Sequence, residues 1–345
     1  MKSVKNVFGL YFFILLFLVA CRQQEVIELS GHTMGTTYHI KIIRSMDQNL
    51  TADRLQPSVD SLLEEINQQM STYRPQSEIS QFNRWPDNKP FKVSSEFKEV
   101  VKKALEIYRL TDGAFDITVA PLVDLWGFGK RGSKFQPPDS LKVRKVLSRV
   151  GSQYLNICGD SALCKSIPDL QIDLSAIAKG YGVDAVAGLL KAKGFRNFLV
   201  EIGGEVFASG QRGSRPWRIG VDQPIYGAPF GQQVEAVLEL KDCAVATSGD
   251  YRNYFEYKGK IYSHEIDPRS GWPVANGLAS VTVIAPDCMT GDALATAIMV
   301  MGADQGLRLI NELKDMEVLI ILRNEKGSFK KIESDSLRKY LKVEY

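Results

Sequence analysis

Histidine is scarce in this chain of 345 residues, which has His32, His39 and His264 alone. No H-E-x-x-H pair can be drawn from them, so the helix-borne zinc site of many metalloproteases is excluded. The five cysteines include no C-x-x-C, which removes zinc ribbons and thioredoxin-type redox chemistry. There is no Walker A loop. There is no G-x-S-x-G elbow either, because "VATSGDY" has Ala246 where the first glycine should stand. One G-x-G-x-x-G does occur, "GFGKRG" at 127–132, but "SKFQPPDS" follows it. Those prolines oppose the helix that a dinucleotide loop must open, so the stretch reads as a turn-rich loop. Solenoid-period repeats and low-complexity tracts are missing too.

Charge of one sign is equally lacking. Residues 1–20 hold Lys2, Lys5 and no acid, so without them Lys+Arg falls from 43 to 41 against 40 acids, a net charge of +1. With no basic run beyond that point, nucleic acid is excluded as the main partner. What the N-terminus does have is "VFGLYFFILLFLVA" behind its two lysines, the pattern of a secretory signal peptide and short for a full membrane span. Leu18-Val19-Ala20-Cys21 resembles the bacterial lipobox, in which the cysteine is lipidated and becomes the new N-terminus. Each buried CH₂ contributes about 0.8 kcal/mol, and one chain alone is marginal, so several acyl chains would be needed for a firm anchor. The expected organisation is a signal peptide over 1–20, a linker over 21–30 and one domain over 31–340. The expected location is the bacterial cell envelope, lipid-anchored, at the inner membrane facing the periplasm.

Four cysteines remain, Cys158, Cys164, Cys243 and Cys288. "NICGDSALCKS" admits a hairpin closed by a Cys158–Cys164 disulfide in an oxidising compartment. Four small buried thiols is the preferred reading.

Period-3.6 patterns predict helices in "LQPSVDSLLEEINQQMSTY", "SSEFKEVVKKALEIYRLTDG", "PDSLKVRKVLSRVG" and "LSAIAKGYGVDAVAGLLKAKG". "YHIKII", "RNFLVEIGGEVFASG", "WRIGVD", "QVEAVLEL", "AVATSG", "LASVTVIAP" and "EVLIILRN" read as strands. A further helix is expected from about Gly291 to Leu313. Helices and strands mix without regular βα alternation, which favours α+β over a doubly wound sheet.

Polar residues embedded in the apolar, turn-rich stretches are the functional candidates. Each has a bland reading. Asp292 would sit in a first helical turn, where a carboxylate complements the dipole. Thr296 could bond back to the carbonyl of residue 292. Asp173 and Asp267 could be turn formers, with Ser175 an N-cap, Lys179 one turn inside its helix, and His264 a satisfied structural imidazole. "TDGAFDIT" puts Asp112 and Asp116 around a Phe115 that looks exposed. Together they suggest more. Asp292 and Thr296, at i and i+4, project from one helix face with hard oxygen donors suited to Mg²⁺ or Ca²⁺. Such a metal beside Lys179 and His264 would suit attack at a phosphate or pyrophosphate, with His264 accepting a proton.

Eight segments, "MGTTY", "MSTYRPQSEIS", "GAFDITVAPLVDLWGFG", "IDLSAIAKGYGVD", "VEIGGE", "ATSGDYRNYF", "HEIDPRSGWPV" and "DALATAIMVMG", occur in an order similar to the motifs of the ApbE family, FAD:protein FMN transferases. The resemblance runs from about residue 31 to about 310. It implies a two-part α/β arrangement with mixed sheets flanked by helices and FAD in the central cleft. It implies that Mg²⁺-bound FAD is split at its pyrophosphate, that FMN passes to a Thr or Ser hydroxyl of a target protein such as an Nqr or Rnf redox subunit, and that AMP leaves. It implies FAD contacts from Met34, Tyr73, Ala114, Phe115, Asp116, Asp173, Lys179 and Ile266. It implies metal ligation by the side chains of Asp292 and Thr296 and by the carbonyls of Ala176 and Ala295, with His264 as base. A Mg²⁺-dependent FAD pyrophosphatase and a non-catalytic flavin-binding lipoprotein are the alternatives, and the residues do not separate transferase from pyrophosphatase. A Cys21→Ala form is expected to stay unlipidated; intact-mass spectrometry of the membrane fraction checks this, and persistent acylation would refute the lipobox reading.

Overall fold

Alternating burial along "VIELSGHT" and "TTYHIKII" makes the first two strands, β1 (Val26–Thr33) and β2 (Thr36–Ile43), paired antiparallel through the two-residue turn Met34-Gly35. Both turn residues have positive φ, +50° and +74°, as a tight hairpin of this twist requires. The computed structural model describes residues 25–342 except 45–50, 87–88, 130–135, 168, 230 and 325–326. The expected signal peptide and Cys21 therefore lie outside the described residues, as does "KRGSKF". The linker expected over 21–30 is shorter than that, because Val26 to Ser30 are already paired in β1 with Ile43 to His39.

In chain order the following elements are helices α1 (Ala52–Met70) and α2 (Glu78–Arg84), strand β3 (Phe91–Lys92), helices α3 (Ser95–Leu110), α4 (Ala120–Leu125) and α5 (Ser140–Leu147), strands β4 (Leu155–Ile157) and β5 (Ala162–Lys165), and helix α6 (Ala178–Ala192). Strands β6 (Phe198–Ile202), β7 (Glu205–Ser209), β8 (Trp217–Asp222), β9 (Val234–Leu240), β10 (Cys243–Gly249), β11 (Tyr254–Tyr257), β12 (Lys260–Ser263) and β13 (Leu278–Ala285) come next. Helices α7 (Cys288–Met301) and α8 (Ala303–Glu312) and strands β14 (Glu317–Arg323) and β15 (Phe329–Glu333) close the chain.

Eight strands form one sheet in the order β1-β2-β6-β7-β10-β13-β14-β15. The α+β class holds. Every neighbouring pair is antiparallel, so the mixing is of helices with sheets and not of strand directions. One face carries α1, α3, α6 and α7 over Ile40, Ile42, Val200, Val281 and Val283. The β8–β9 hairpin covers the other face, with Trp217, Val221, Leu238 and Leu240 packed on Val245, Ile284, Leu319 and Ile321. β13 is covered on both sides, which is why "LASVTVIA" reads as an unbroken apolar run. Residues 71–175 build a second part around the small sheet β3-β5-β4 and helices α2 to α5. The β11–β12 hairpin meets it where Tyr262 stacks on Trp126.

Two expectations are corrected here. Cys158 and Cys164 are joined in a disulfide, not free: the β4–β5 hairpin pairs Asn156 with Cys164 and brings the two Cα atoms to 6.0 Å, within disulfide reach. Cys243 and Cys288 are the buried free thiols that were expected. The single helix expected over 291–313 is two, because Gly302 (φ +87°, ψ 167°) ends α7 and begins α8. α7 also starts earlier, at Cys288, where the Asp287 side chain accepts the Thr290 N–H at 2.8 Å. Asp292 is therefore a turn deeper than a dipole partner would be.

α7 is apolar all round and buried everywhere except Thr296 and Met301. Small residues let it approach its neighbours: a Cβ on Gly180 of α6 would lie 2.4 Å from the Cys288 carbonyl oxygen. Gly180→Ala is expected to force α6 and α7 apart and to lower the unfolding free energy by about 2–3 kcal/mol, the upper range for overpacking. Urea unfolding measures it, and an unchanged midpoint would mean that the helices are not held this closely.

Candidate functional site

The crossing of α6 and α7 is locked by an exchange of carboxylates. Asp184 of α6 accepts the N–H groups of Cys288 (2.9 Å) and Met289 (2.8 Å) at the start of α7. Asp292 of α7 accepts the Gly180 N–H (2.9 Å) in the first turn of α6. Each helix thus satisfies donors that the other helix's N-terminus leaves orphaned. α6 begins only at Ala178, so Lys179 is its second residue and not one turn inside. Ser175 is not its N-cap. It lies upstream, where its N–H donates to Asp173 Oδ1 at 2.7 Å, the turn-forming role that "IDLS" allowed for Asp173.

Because Asp292 occupies the Gly180 N–H, no backbone donor among the described residues reaches the Ala176 carbonyl, which stands four residues earlier and would be its helical partner. Thr296, one turn on from Asp292, shares a hydrogen bond of 3.1 Å with Ser248 of β10. A carboxylate, a hydroxyl and a free carbonyl therefore line one wall. No cluster of three or more His, Cys, Asp or Glu exists among the described residues. This mixed set of hard oxygens suits a Mg²⁺-like ion that completes its shell with water and substrate phosphate.

Lys179 Nζ is 2.5 Å from Glu205 Oε1 and 3.9 Å from Asp292 Oδ1. Burial alone would lower the lysine's pKa, but the Asp292 and Glu205 charges outweigh it and raise it, so the ammonium stays charged. Burial raises the pKa of both carboxyl groups against the pull of Lys179. Two buried carboxylates share one ammonium, so the fully ionised trio is one positive charge short, which favours a further cation.

The wall belongs to a cleft of about 1120 Å³ between the two parts. Ligand pockets usually run about 300–1,000 Å³, so there is room for an extended dinucleotide. Tyr73, Ala114, Phe115, Asp116, Asp173, Ala176, Lys179, His264, Ile266, Asp292 and Thr296 all line it, drawn from five of the eight sequence segments and from distant elements. Tyr73 is 73% exposed at the rim, on a loop held by the Arg74–Glu64 pair and by Ser77 Oγ donating to the carbonyls of Ser71 and Arg74. His264 Nδ1 lies 3.0 Å from the Asn253 carbonyl oxygen, which can only accept, so Nδ1 of the neutral ring donates and Nε2 keeps its lone pair. Nε2 faces the buried Glu265 at 3.6 Å, whose carboxyl pKa burial raises.

Some expectations change. Phe115, which looked exposed, is 2% exposed and reaches the cleft from within the core. Asp116 spends its carboxylate internally, accepting from Thr118 N, Thr118 Oγ1, Ser152 N and Ser152 Oγ. Met34 sits outside the cleft wall and packs its methyl against Gly182. Ala295 is fully buried in α7, between Asp292 and Thr296 of the wall, so only its carbonyl could serve a cation there. Glu205, Ser248 and Asp184 were missed. Their signals were weak: a carboxylate opening an apolar strand in "GGEVFAS", a serine after "AVAT", and an aspartate on the buried face of a helix.

Known proteins resemble this chain over most of its length. The ApbE family model matches residues 34–320. A FAD:protein FMN transferase of Vibrio cholerae is 46% identical over 95% of this chain and 96% of its own length. Its counterpart in Haemophilus influenzae is 40% identical over 92% of each. The solved flavin transferase ApbE from Vibrio cholerae superposes with a TM-score of 0.83 at 43% identity, covering 92% of this chain and all (100%) of that one. The apo form of Pseudomonas stutzeri flavinyl transferase ApbE gives 0.84 at 36% identity, covering 94% and 99%.

Asp184 supplies a pH test. Burial lifts its pKa from 3.8 to about 7, against the two N–H bonds that lower it. The folded form holds this proton where the unfolded chain has lost it, so the stability it contributes is full below about pH 4 and is lost as pH rises through about 7. The loss is on the order of 4 kcal/mol at most. Denaturant unfolding of wild type should show stability falling across this window, and Asp184→Asn should flatten that fall. An identical slope in both would remove the carboxyl from the account.

Proposed function

This chain belongs to the ApbE family and is a flavin transferase, and we propose that it transfers the FMN half of FAD to a Thr or Ser hydroxyl of a target protein, releasing AMP, with Mg²⁺ bound. The observation that carries the reading is the convergence of Asp292, Thr296 and the free Ala176 carbonyl on the wall of a dinucleotide-sized cleft, with His264 in the same cleft.

The residues divide the work. Tyr73 offers an exposed ring at the rim for a flat heterocycle, and Phe115 and Ile266 supply apolar surface inside. Ala114, Asp116 and Asp173 shape the floor through a loop that hydrogen bonds make rigid. Lys179 presents its charge toward the pyrophosphate. The side chains of Asp292 and Thr296 and the carbonyls of Ala176 and Ala295 would hold Mg²⁺, which would supply charge neutralisation at the pyrophosphate. The acceptor hydroxyl oxygen forms a bond to the FMN-side phosphorus. The bond from that phosphorus to the bridging oxygen breaks, and its electron pair leaves with AMP. His264 Nε2 takes the hydroxyl proton, with Nδ1 held on the Asn253 carbonyl throughout.

The acceptors proposed are subunits of Nqr- and Rnf-type redox complexes, and the location proposed is the periplasmic face of a membrane, with Cys21 as the anchor. The ApbE resemblance and the N-terminal sequence pattern support these. No helix among the described residues is long and apolar enough to cross a membrane.

Incubation with FAD, Mg²⁺ and an acceptor subunit should release AMP and leave in-gel flavin fluorescence on the acceptor. AMP without labelled acceptor would make the protein a pyrophosphatase. His264→Ala should slow transfer by about 10²- to 10⁴-fold with FAD binding kept, and Asp292→Ala should abolish metal-dependent turnover. An unchanged rate in either variant would remove that residue from the mechanism.

A further inference from the structure

One lysine stands between two buried carboxylates, and it is bound to the one that the chemistry above does not use. Glu205 is 2% exposed and opens β7 directly after Gly203 and Gly204, whose positive φ values (+59° and +102°) make the turn that aims it back at α6. Its Oε1 lies 2.5 Å from Lys179 Nζ, a charge-assisted hydrogen bond. Its Oε2 is buried with no hydrogen-bond partner, and the residue lines the cleft behind Lys179. The same ammonium is 3.9 Å from Asp292 Oδ1, beyond hydrogen-bond length. Asp292 Oδ2 is taken by the Gly180 N–H. The only Asp292 oxygen left for a cation is therefore the one that Lys179 would otherwise occupy.

We propose that Glu205 is a positioning residue that holds the Lys179 ammonium off Asp292, leaving Asp292 Oδ1 available to a hard divalent cation. The inference rests on the metal reading above. Without Glu205, an ammonium on the second residue of α6 has one buried carboxylate within reach, and low dielectric makes that pairing strong. The ion pair would then compete with the metal for the same oxygen. With Glu205 present, the lysine is satisfied elsewhere. The cation site keeps a carboxylate, and the second buried negative charge adds to the attraction. A group of this kind tunes a metal site without touching the metal.

Mn²⁺ binding to the purified full chain without FAD, followed by the loss of the free-ion EPR signal, reads the proposal apart from catalysis. Glu205→Gln keeps the side-chain shape and should weaken Mn²⁺ binding by about 10- to 100-fold, the usual range for groups that orient a ligand. Glu205→Gln combined with Lys179→Met removes the competing ammonium and should restore binding to near the wild-type value. Lys179→Met alone should bind at least as tightly as wild type. The rescue is non-additive, and a merely structural role for Glu205 would not produce it. Circular dichroism melting confirms that each variant is folded; should Glu205→Gln be unfolded, the Lys179→Met arm decides, and binding weakened tenfold there would overturn the proposal. Equal binding by wild type and folded Glu205→Gln, or no recovery in the double variant, would overturn it while leaving the transferase reading intact. No binding by wild type would overturn it together with the metal assignment.

Discussion

The close crossing of α6 and α7 is the constraint on which the site depends. Two apolar helices meet at Gly180 with no room for a methyl group. Asp184 and Asp292 each reach across to the other helix's first turn. A buried carboxylate is costly unless it is bonded, and hydrogen bonds to a charged acceptor return about 1.5–3 kcal/mol each. The crossing thus lets a core helix carry a carboxylate. It also fixes where that carboxylate points, since one Asp292 oxygen is pinned to Gly180 and the other is turned toward Lys179.

The rest of the wall follows from the same contact. Capturing the Gly180 N–H detaches the Ala176 carbonyl from the helix ladder. The small residues Ala246 and Ala285, 3.5–3.6 Å from a Cβ built on Gly291, seat α7 close to the sheet, so Thr296 meets Ser248 on β10. Trading helix-ladder partners for cross-helix ones produces unpaired hard oxygens in a dry setting, where their electrostatic effect is largest. The second part of the chain supplies the other wall, and its loops are tied internally by Asp116 and Ser152 and to α1 by the Arg74–Glu64 pair, so the cleft is shaped before any ligand enters.

Much of this was legible in the sequence because the residues fall in dense local segments. Tyr73, Phe115, Asp173, Lys179, His264, Asp292 and Thr296 come from five separate stretches and meet in one cleft. The α+β class could be read from strand and helix periods. What could not be read depended on long-range geometry. Met34 packs over Gly182 from its hairpin turn and Ala295 is buried in α7, placements that the motifs do not specify. The Cys158–Cys164 bridge depended on hairpin register, which two cysteines six apart do not specify. Glu205 and Asp184 looked like ordinary charges, because only the tertiary fold buries them against a lysine and a helix N-terminus. Gly302 was read as an interior residue of one long helix, although its positive φ divides that helix in two.

The most direct test of this account is a crystal structure with FAD and Mn²⁺, with anomalous scattering collected at the manganese edge. The account predicts one strong peak within about 2.2 Å of Asp292 Oδ1, Thr296 Oγ1 and the Ala176 carbonyl oxygen, against the FAD pyrophosphate, with Lys179 still on Glu205. A peak held by other residues, or Lys179 paired directly to Asp292 beside a bound ion, would contradict it.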